Sequence, residues 1–394
     1  MTEWKTYRLG NLCDTISDTY KGCADEVVLI NTSDVLEGKC LNHTKEPNRN
    51  LKGQFKKTFK KYDILYSEIR PANKRFAYID FDATNYIAST KLMVLRHNEK
   101  IEPLYLYYIL QSQNIIDELQ MLAESRSGTF PQITFSELSR LEVKLPNREA
   151  QRQILGILGA IDDKIECNRR INTNLESQAQ ALFDNLMSNS NLEYKLIVDI
   201  DHIIETGRRP KGGVANITSG VPSIGAENIK GLGKYDYFKT KYITAEFAET
   251  LKKGIIKGYE LLIYKDGGKP GYFIPNFSIF GEGFPYDNMT LNEHVFLLDF
   301  GNKGYNFFAY FYMQTEEVMK YLNAQGSKAA IPGINRNDVE NISIPTIENE
   351  AVKEFCERVE PIITSILVNS KESSRLATLR DTLLPKLMNG EIKM

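Results

Sequence analysis

The chain contains one segment twice. Glu149-Ala150 and Glu350-Ala351 open two stretches that align without a gap at a shift of 201 residues. At that shift Ile161 meets Ile362, Ile165 meets Ile366 and Asn168 meets Asn369. Further on, Leu175 meets Leu376, Leu182 meets Leu383 and Leu186 meets Leu387. Each stretch follows a short strand-like run ending in proline, Pro146 or Pro345. The match continues more loosely upstream. Pro131 and Ile133 correspond to Pro332 and Ile334, Leu106 to Ala309, and Tyr62-Asp63 to Tyr259-Glu260. A repeat of this length calls for a domain, a helix, a second domain and a second helix, with the helices the better preserved parts.

The repeated stretches carry heptads. Ile154, Ile161, Asn168, Leu175 and Leu182 fall seven apart, and Leu158, Ile165, Asn172, Ala179 and Leu186 sit four further on. The second copy has Phe355, Ile362, Asn369, Leu376 and Leu383, with Val359, Ile366, Ser373, Arg380 and Leu387. Apolar residues at this spacing form a coiled-coil seam. Helices of roughly 33 residues would be about 50 Å long. Packing against each other buries both stripes, with Ile161, Ile165, Leu175, Ile362, Ile366 and Leu376 in the seam. The duplication predicts an antiparallel pair and an internal pseudo-twofold repeat. Asn168 and Asn369 then meet near the middle, where a buried asparagine pair sets register. Pro385 predicts an end or bend of the second helix.

Composition sorts the alternatives. At 394 residues the chain exceeds one ordinary core. Its five cysteines are odd in number and scattered, without a CxxC pair, which argues against a disulfide framework or structural zinc. No apolar run is long enough to span a membrane and the N-terminal residues lack a signal-peptide pattern, so a cytoplasmic location is expected. The net charge of −2 does not advertise nucleic acid, but local clusters do. Lys52, Lys56, Lys57, Lys60, Lys61, Arg70, Lys74 and Arg75 face only Asp63 and Glu68. Arg208, Arg209 and Lys211 form a second group, and Lys265 with Lys269 a third.

The C-terminal run from Leu379 to Met394 resembles the ending of the specificity subunits of Type I restriction–modification systems. The junction from Lys144 through Arg148 to Asn172, strand to proline to helix, resembles the same family, as does the order of parts across nearly the whole chain. The resemblance implies an α+β protein: two mixed α/β target-recognition domains joined by two long antiparallel coiled-coil helices. Its boundaries would be 1–146 and 191–345 for the domains, and 147–190 and 346–394 for the helical regions. It implies a DNA-recognition role in which each domain reads half of a bipartite target in double-stranded DNA. Two methyltransferase subunits carrying S-adenosylmethionine and restriction subunits using ATP and magnesium are the implied partners. The competing expectation is a tandem-repeat scaffold protein that binds no DNA.

No cofactor, metal or catalytic centre is expected in this chain. Phe284-Pro285-Tyr286 lacks the double proline of an adenine methyltransferase loop. The run from Lys265 to Pro270 has Pro270 where a phosphate loop needs Ser or Thr.

Within the domains, aromatic-rich strands are expected at 77–80, 92–95 and 294–298, and one helix in each at 104–122 and 307–322. Tyr105, Tyr107, Tyr108, Tyr310 and Tyr312 lie on a helical pattern, as packing residues. Phosphate contacts are expected from Lys56, Lys57, Lys60 and Lys61, because lysines mostly hold the backbone. Arg70, Lys74, Arg75 and Arg126 in the first domain are expected nearer the bases. Arg208, Arg209, Lys265, Lys269 and Lys328 are their counterparts in the second, and Lys211 is expected at the DNA surface beside them.

Overall fold

A computed structural model describes residues 4–49, 53–125, 131–267, 271–328 and 331–392. Arg126 and Lys269, both expected at the DNA surface, lie outside the described residues. The chain forms two compact units, Met1–Asp162 with Thr378–Met394, and Asp163–Ala377.

The first unit has two four-stranded sheets. One orders its strands Cys13–Ile16, Leu92–His97, Ile64–Ser67 and Phe76–Tyr78, all antiparallel. The other orders Glu46–Pro47, Glu26–Ile30, Tyr86–Ser89 and Phe55–Lys57, with one parallel pair in its centre. The second unit repeats both orders. Ile203–Thr206, Val295–Asp299, Leu261–Tyr264 and Phe277–Ile279 form one sheet. Lys241–Ile243, Val221–Ile224, Met289–Leu291 and Ile255–Ile256 form the other, again with a central parallel pair. A two-stranded ribbon precedes each long helix, Lys5–Arg8 with Glu142–Leu145 and Tyr194–Leu196 with Ser343–Pro345.

Even the tight turns match. Tyr62 and Tyr259 both hold a φ of 75°. The next side chain caps the turn in each copy: Asp63 accepts from the Lys60 N–H at 2.9 Å, and Glu260 from the Lys257 and Gly258 N–H groups at 2.8 and 2.7 Å. Their neighbours then differ. Arg96 clasps Asp63 through two hydrogen bonds of 2.8 and 2.7 Å, whereas Asp299 faces Glu260 with like charge. Burial, reinforced by Asp299, raises the Glu260 carboxyl above its ordinary range.

The single domain helices expected at 104–122 and 307–322 are each two helices. Ser112, extended at ψ 140°, separates Pro103–Gln111 from Gln113–Glu124. Residues 313–315 separate Lys303–Tyr312 from Glu316–Gly326. The hydrophobic period alone does not reveal the break, because both pieces bury apolar faces in one core. Tyr105, Tyr108, Tyr310 and Tyr312 are buried there, as packing residues.

The long helices are Arg148–Asn189, 42 residues, and Glu350–Met388, 39 residues. In the second unit they run antiparallel: Asn168 reaches Ser373, Asn172 reaches Ile366, and the Phe183 and Phe355 rings lie 5.9 Å apart. In the first unit Asp162 meets Arg380, while Ile154 and Leu158 share a core with Leu384, Leu387 and Met388. The seam is broader than a strict heptad. Ile161 and Ile366 are buried, but Ile165, Leu175, Ile362 and Leu376 are half-buried, and Phe183, Ile363, Leu367 and Leu384 are buried beside them. Each helix packs on its own domain's helices as well as on its partner, so its apolar face must be wider than a two-helix seam.

Pro385 does not end the second helix. The helix runs through both Pro361 and Pro385, which are exposed, so solvent can reach the carbonyls left without a donor. The stop comes at Gly390, with φ 73°: Glu391 N–H donates to Lys386 at 2.9 Å and Gly390 N–H to Leu387 at 3.4 Å. This is the paired 6→1 and 5→2 bonding of a left-handed helix cap. A side chain at Gly390 would also strike the Trp4 ring.

Candidate nucleic-acid interface

Three backbone hydrogen bonds tie three loops together in the first unit, and the same three recur in the second. Glu68 N–H donates to Lys91 C=O at 3.0 Å, Ile133 to Glu68 at 2.8 Å and Arg70 to Pro131 at 3.1 Å. In the second copy Lys265 donates to His294 at 2.9 Å, Ile334 to Lys265 at 2.8 Å and Gly267 to Pro332 at 2.9 Å. Isolated bridges, Ile69 with Gln132 and Asp266 with Gly333, complete each frame. The frames stand at the ends of the strands Ile64–Ser67 and Leu261–Tyr264, so a rigid sheet presents them.

The frames agree and the side chains on them do not. The first carries Glu68, Arg70, Lys91 and Gln132, with Lys91 donating to Gln132 Oε1 at 3.4 Å. Arg70 is exposed. The second carries Lys265, Asp266 and His294, joined by Arg209 and Glu293. The His294 Nδ1 bonds Asp266, Lys265 pairs with Asp266 at 3.3 Å, and Arg209 with Glu293 at 3.1 Å. Gly207 delivers the arginines to this place. A Cβ there would lie 1.6 Å from the Leu291 carbonyl oxygen, so only glycine lets the two backbones pass. Arg208 beyond it is exposed.

The expected basic residues do not all gather on these frames. Lys60 and Lys61 are exposed at the start of Ile64–Ser67, the opposite end from Arg70, about 13 Å along a four-residue strand. Lys61 also lies 5.2 Å from the Tyr62 ring. Lys56 is exposed. Lys57 departs from the expectation: its ammonium donates to the Thr90 and Leu92 carbonyls at 3.1 and 2.8 Å, and burial lowers its pKa. Arg75 likewise donates to the Ser33 carbonyl at 3.0 Å. These two cations brace loops, because a half-buried charge takes the nearest carbonyls. Lys74 is half-buried with φ 51°, Lys211 is exposed, and Lys328 is exposed and donates to Gln325 at 2.7 Å. Lys265 is held further by the Glu293 carbonyl at 3.1 Å.

Sequence reasoning passed over Lys91, Gln132, Asp266, Glu293 and His294. The repeat alignment at Ile133 and Ile334 pointed to one of these positions, Gln132. The others sit in strand-to-strand turns that diverge between copies.

Among the described residues no group of three or more His, Cys, Asp and Glu is placed to hold a metal ion, and no helix is long and apolar enough to cross a membrane. The five cysteines are free thiols, and burial pushes Cys13 and Cys356 up to about 12.

Residues 1–177 match the family model of the Type I restriction modification DNA specificity domain. The chain is 31% identical, over 476 aligned positions covering both proteins completely, to the Type I restriction enzyme HindI specificity subunit of Haemophilus influenzae. It is 24% identical over 307 positions to the MjaIX specificity subunit of Methanocaldococcus jannaschii, covering 74% of this chain and 69% of that one. The crystal structure of a Type I restriction–modification S subunit from M. genitalium shares the fold, with a TM-score of 0.56 at 16% identity over 98% and 96% of the two chains. The chain belongs to the specificity subunits of Type I restriction enzymes. It is a DNA-recognition subunit, a non-catalytic part of its system, and the expectation of a scaffold that binds no DNA falls with that membership.

Proposed function

We propose that each recognition domain, 1–146 and 191–345, reads one half of a bipartite target through its loop frame. The helical regions, 147–190 and 346–394, set the distance between the halves. The observation that carries this reading is the recurrence of one hydrogen-bonded frame under two different sets of side chains. A constant frame with variable donors and acceptors suits a surface that reads different base edges with one geometry. Arg70, Lys91 and Gln132 would read one half; Arg208, Arg209, Lys265, Asp266 and His294 the other. Lys56, Lys60, Lys61, Lys74, Lys211 and Lys328 would hold phosphates. The complex works in the cytoplasm, with two methyltransferase subunits that supply S-adenosylmethionine and adenine methylation. Restriction subunits supply ATP- and magnesium-dependent cleavage.

The test is an exchange of residues 191–345 for the equivalent domain of a relative, with methylated motifs sequenced from cells making the complex. One half of the motif should change while the other stays. A change in both halves, or in neither, refutes the modular reading.

A further inference from the structure

A duplicated helix creates a pairing problem. Two copies with the same seam can bind each other, but each can also bind itself in a second molecule. The polar layer at the middle does not solve it. Asn168 faces Ser373 and Asn172 faces Asn369, contacts that are images of one another under the 201-residue shift. A first helix on a first helix would set Asn168 against Asn172, and a second on a second would set Asn369 against Ser373. Polar would still meet polar, so these two contacts specify register without distinguishing the copies; Glu372, which also takes the Asn168 amide at 2.7 Å, has an apolar image in Ile171.

One position does distinguish them. In the first unit Arg380 donates to Asp162 at 2.9 Å, and the buried Tyr108 hydroxyl donates to the same carboxylate. Under the repeat Asp162 corresponds to Ile363, Arg380 to Ala179 and Tyr108 to Phe311. All three counterparts are buried in the apolar core of the second unit. One site is charged and the other is apolar. A second, more exposed ion pair follows the same rule: Lys164 meets Glu372 at 3.1 Å, where the images are Ser365 and Ile171.

We infer that the Asp162–Arg380 pair makes the two helical copies choose each other over themselves, so that the chain closes on itself and not on a second copy of the same helix. Only the pairing of first helix with second satisfies both sites. First on first places Asp162 against Ala179 twice; second on second places Arg380 against Ile363 twice. Either leaves two half-buried charges without partners, the arrangement that penalises a wrong partner. The pairing preference is independent of how the domains read DNA.

The test starts from the intact, folded chain carrying a protease site between Asn189 and Ser190, cut after purification so that both fragments begin natively paired. The cut protein is diluted, reconcentrated and its fragment pairs counted by native mass spectrometry. The unsubstituted protein should return almost wholly as mixed pairs. The double variant Asp162→Ile with Arg380→Ala puts the counterparts of the charged pair, Ile363 and Ala179, in its place. It should gain like-with-like pairs, with mixed pairs falling toward the statistical share of about half. The charge exchange Asp162→Arg with Arg380→Asp should restore mixed pairing. Thermal unfolding of each uncut variant establishes that it is folded before cutting. Exclusive mixed pairing in the apolar double variant, or like-with-like pairs in the unsubstituted protein, overturns the inference.

Discussion

Asn369 donates its side-chain amide to Asn172 Oδ1 at 2.9 Å, not to Asn168, its counterpart in the repeat. Asn168 gives its own amide to Glu372 Oε2 at 2.7 Å, to Ser373 Oγ at 3.2 Å and to the Asn369 backbone carbonyl at 3.5 Å. Asn172 passes its own amide on to the Ile366 carbonyl at 3.1 Å. In this register each asparagine lies opposite the residue one turn beyond its repeat counterpart, so the two asparagines that share ancestry straddle the crossing point. Replacing Asn369 with Ala leaves the Asn172 acceptor stranded between the helices. The expected cost is about 1–3 kcal/mol of stability, measured by denaturant unfolding of the whole chain.

Gln151 and Val352 occupy the same place at the start of each long helix. Gln151 is fully buried, accepts from the Glu102 N–H at 2.9 Å and donates to Pro146 and Lys100 carbonyls at 2.9 and 3.2 Å. Val352 is equally buried without needing such partners. Gln151→Val should therefore destabilise the chain by about 1–3 kcal/mol despite copying the second repeat, because buried backbone groups lose their bonds. Calorimetry would detect it as a lowered Tm.

The end of the second helix offers opposite outcomes at two positions five residues apart, Pro385 and Gly390. Gly390→Ala forces a side chain into a left-handed backbone and against Trp4, and should cost at least about 1 kcal/mol. Pro385→Ala supplies the missing N–H within a helix that already continues, and should raise stability. Equilibrium unfolding of the two variants side by side tests both signs.

Glu260 makes stability depend on pH in a defined direction. Its carboxyl is raised by burial and by Asp299, so the folded state holds its proton more tightly than the unfolded chain. The associated stability is full below the unfolded carboxyl pKa and is lost as pH rises through the higher folded value. Glu260→Gln cannot ionise, so this loss should vanish from a plot of unfolding free energy against pH. A slope unchanged by the substitution would contradict the assignment.

At the loop frames, Arg70→Ala and Arg208→Ala should each relax recognition within a different half-site, by about 1–3 kcal/mol at the affected position. Lys60→Ala should weaken binding to all sequences alike and reduce the salt slope by about 1. Salt titrations of the assembled complex on targets altered in either half separate these outcomes.

Local pattern sufficed for the repeat, the helical regions and their antiparallel sense. Periodicity and a 201-residue shift are covalent facts, and an amphipathic stripe must be buried wherever the chain leads. Tertiary structure decided the rest. Whether Lys57 faces phosphate or the Thr90 carbonyl, and whether the Asn369 side-chain amide goes to Asn168 or to Asn172, depends on groups distant in sequence. Pro385 reads as a stop by itself, yet the helix continues because Leu387 and Met388 bury their side chains in the first unit's core and Gly390 supplies the cap. Packing energy from remote residues outweighs a local preference of a few kcal/mol, and no window of neighbouring residues contains that term.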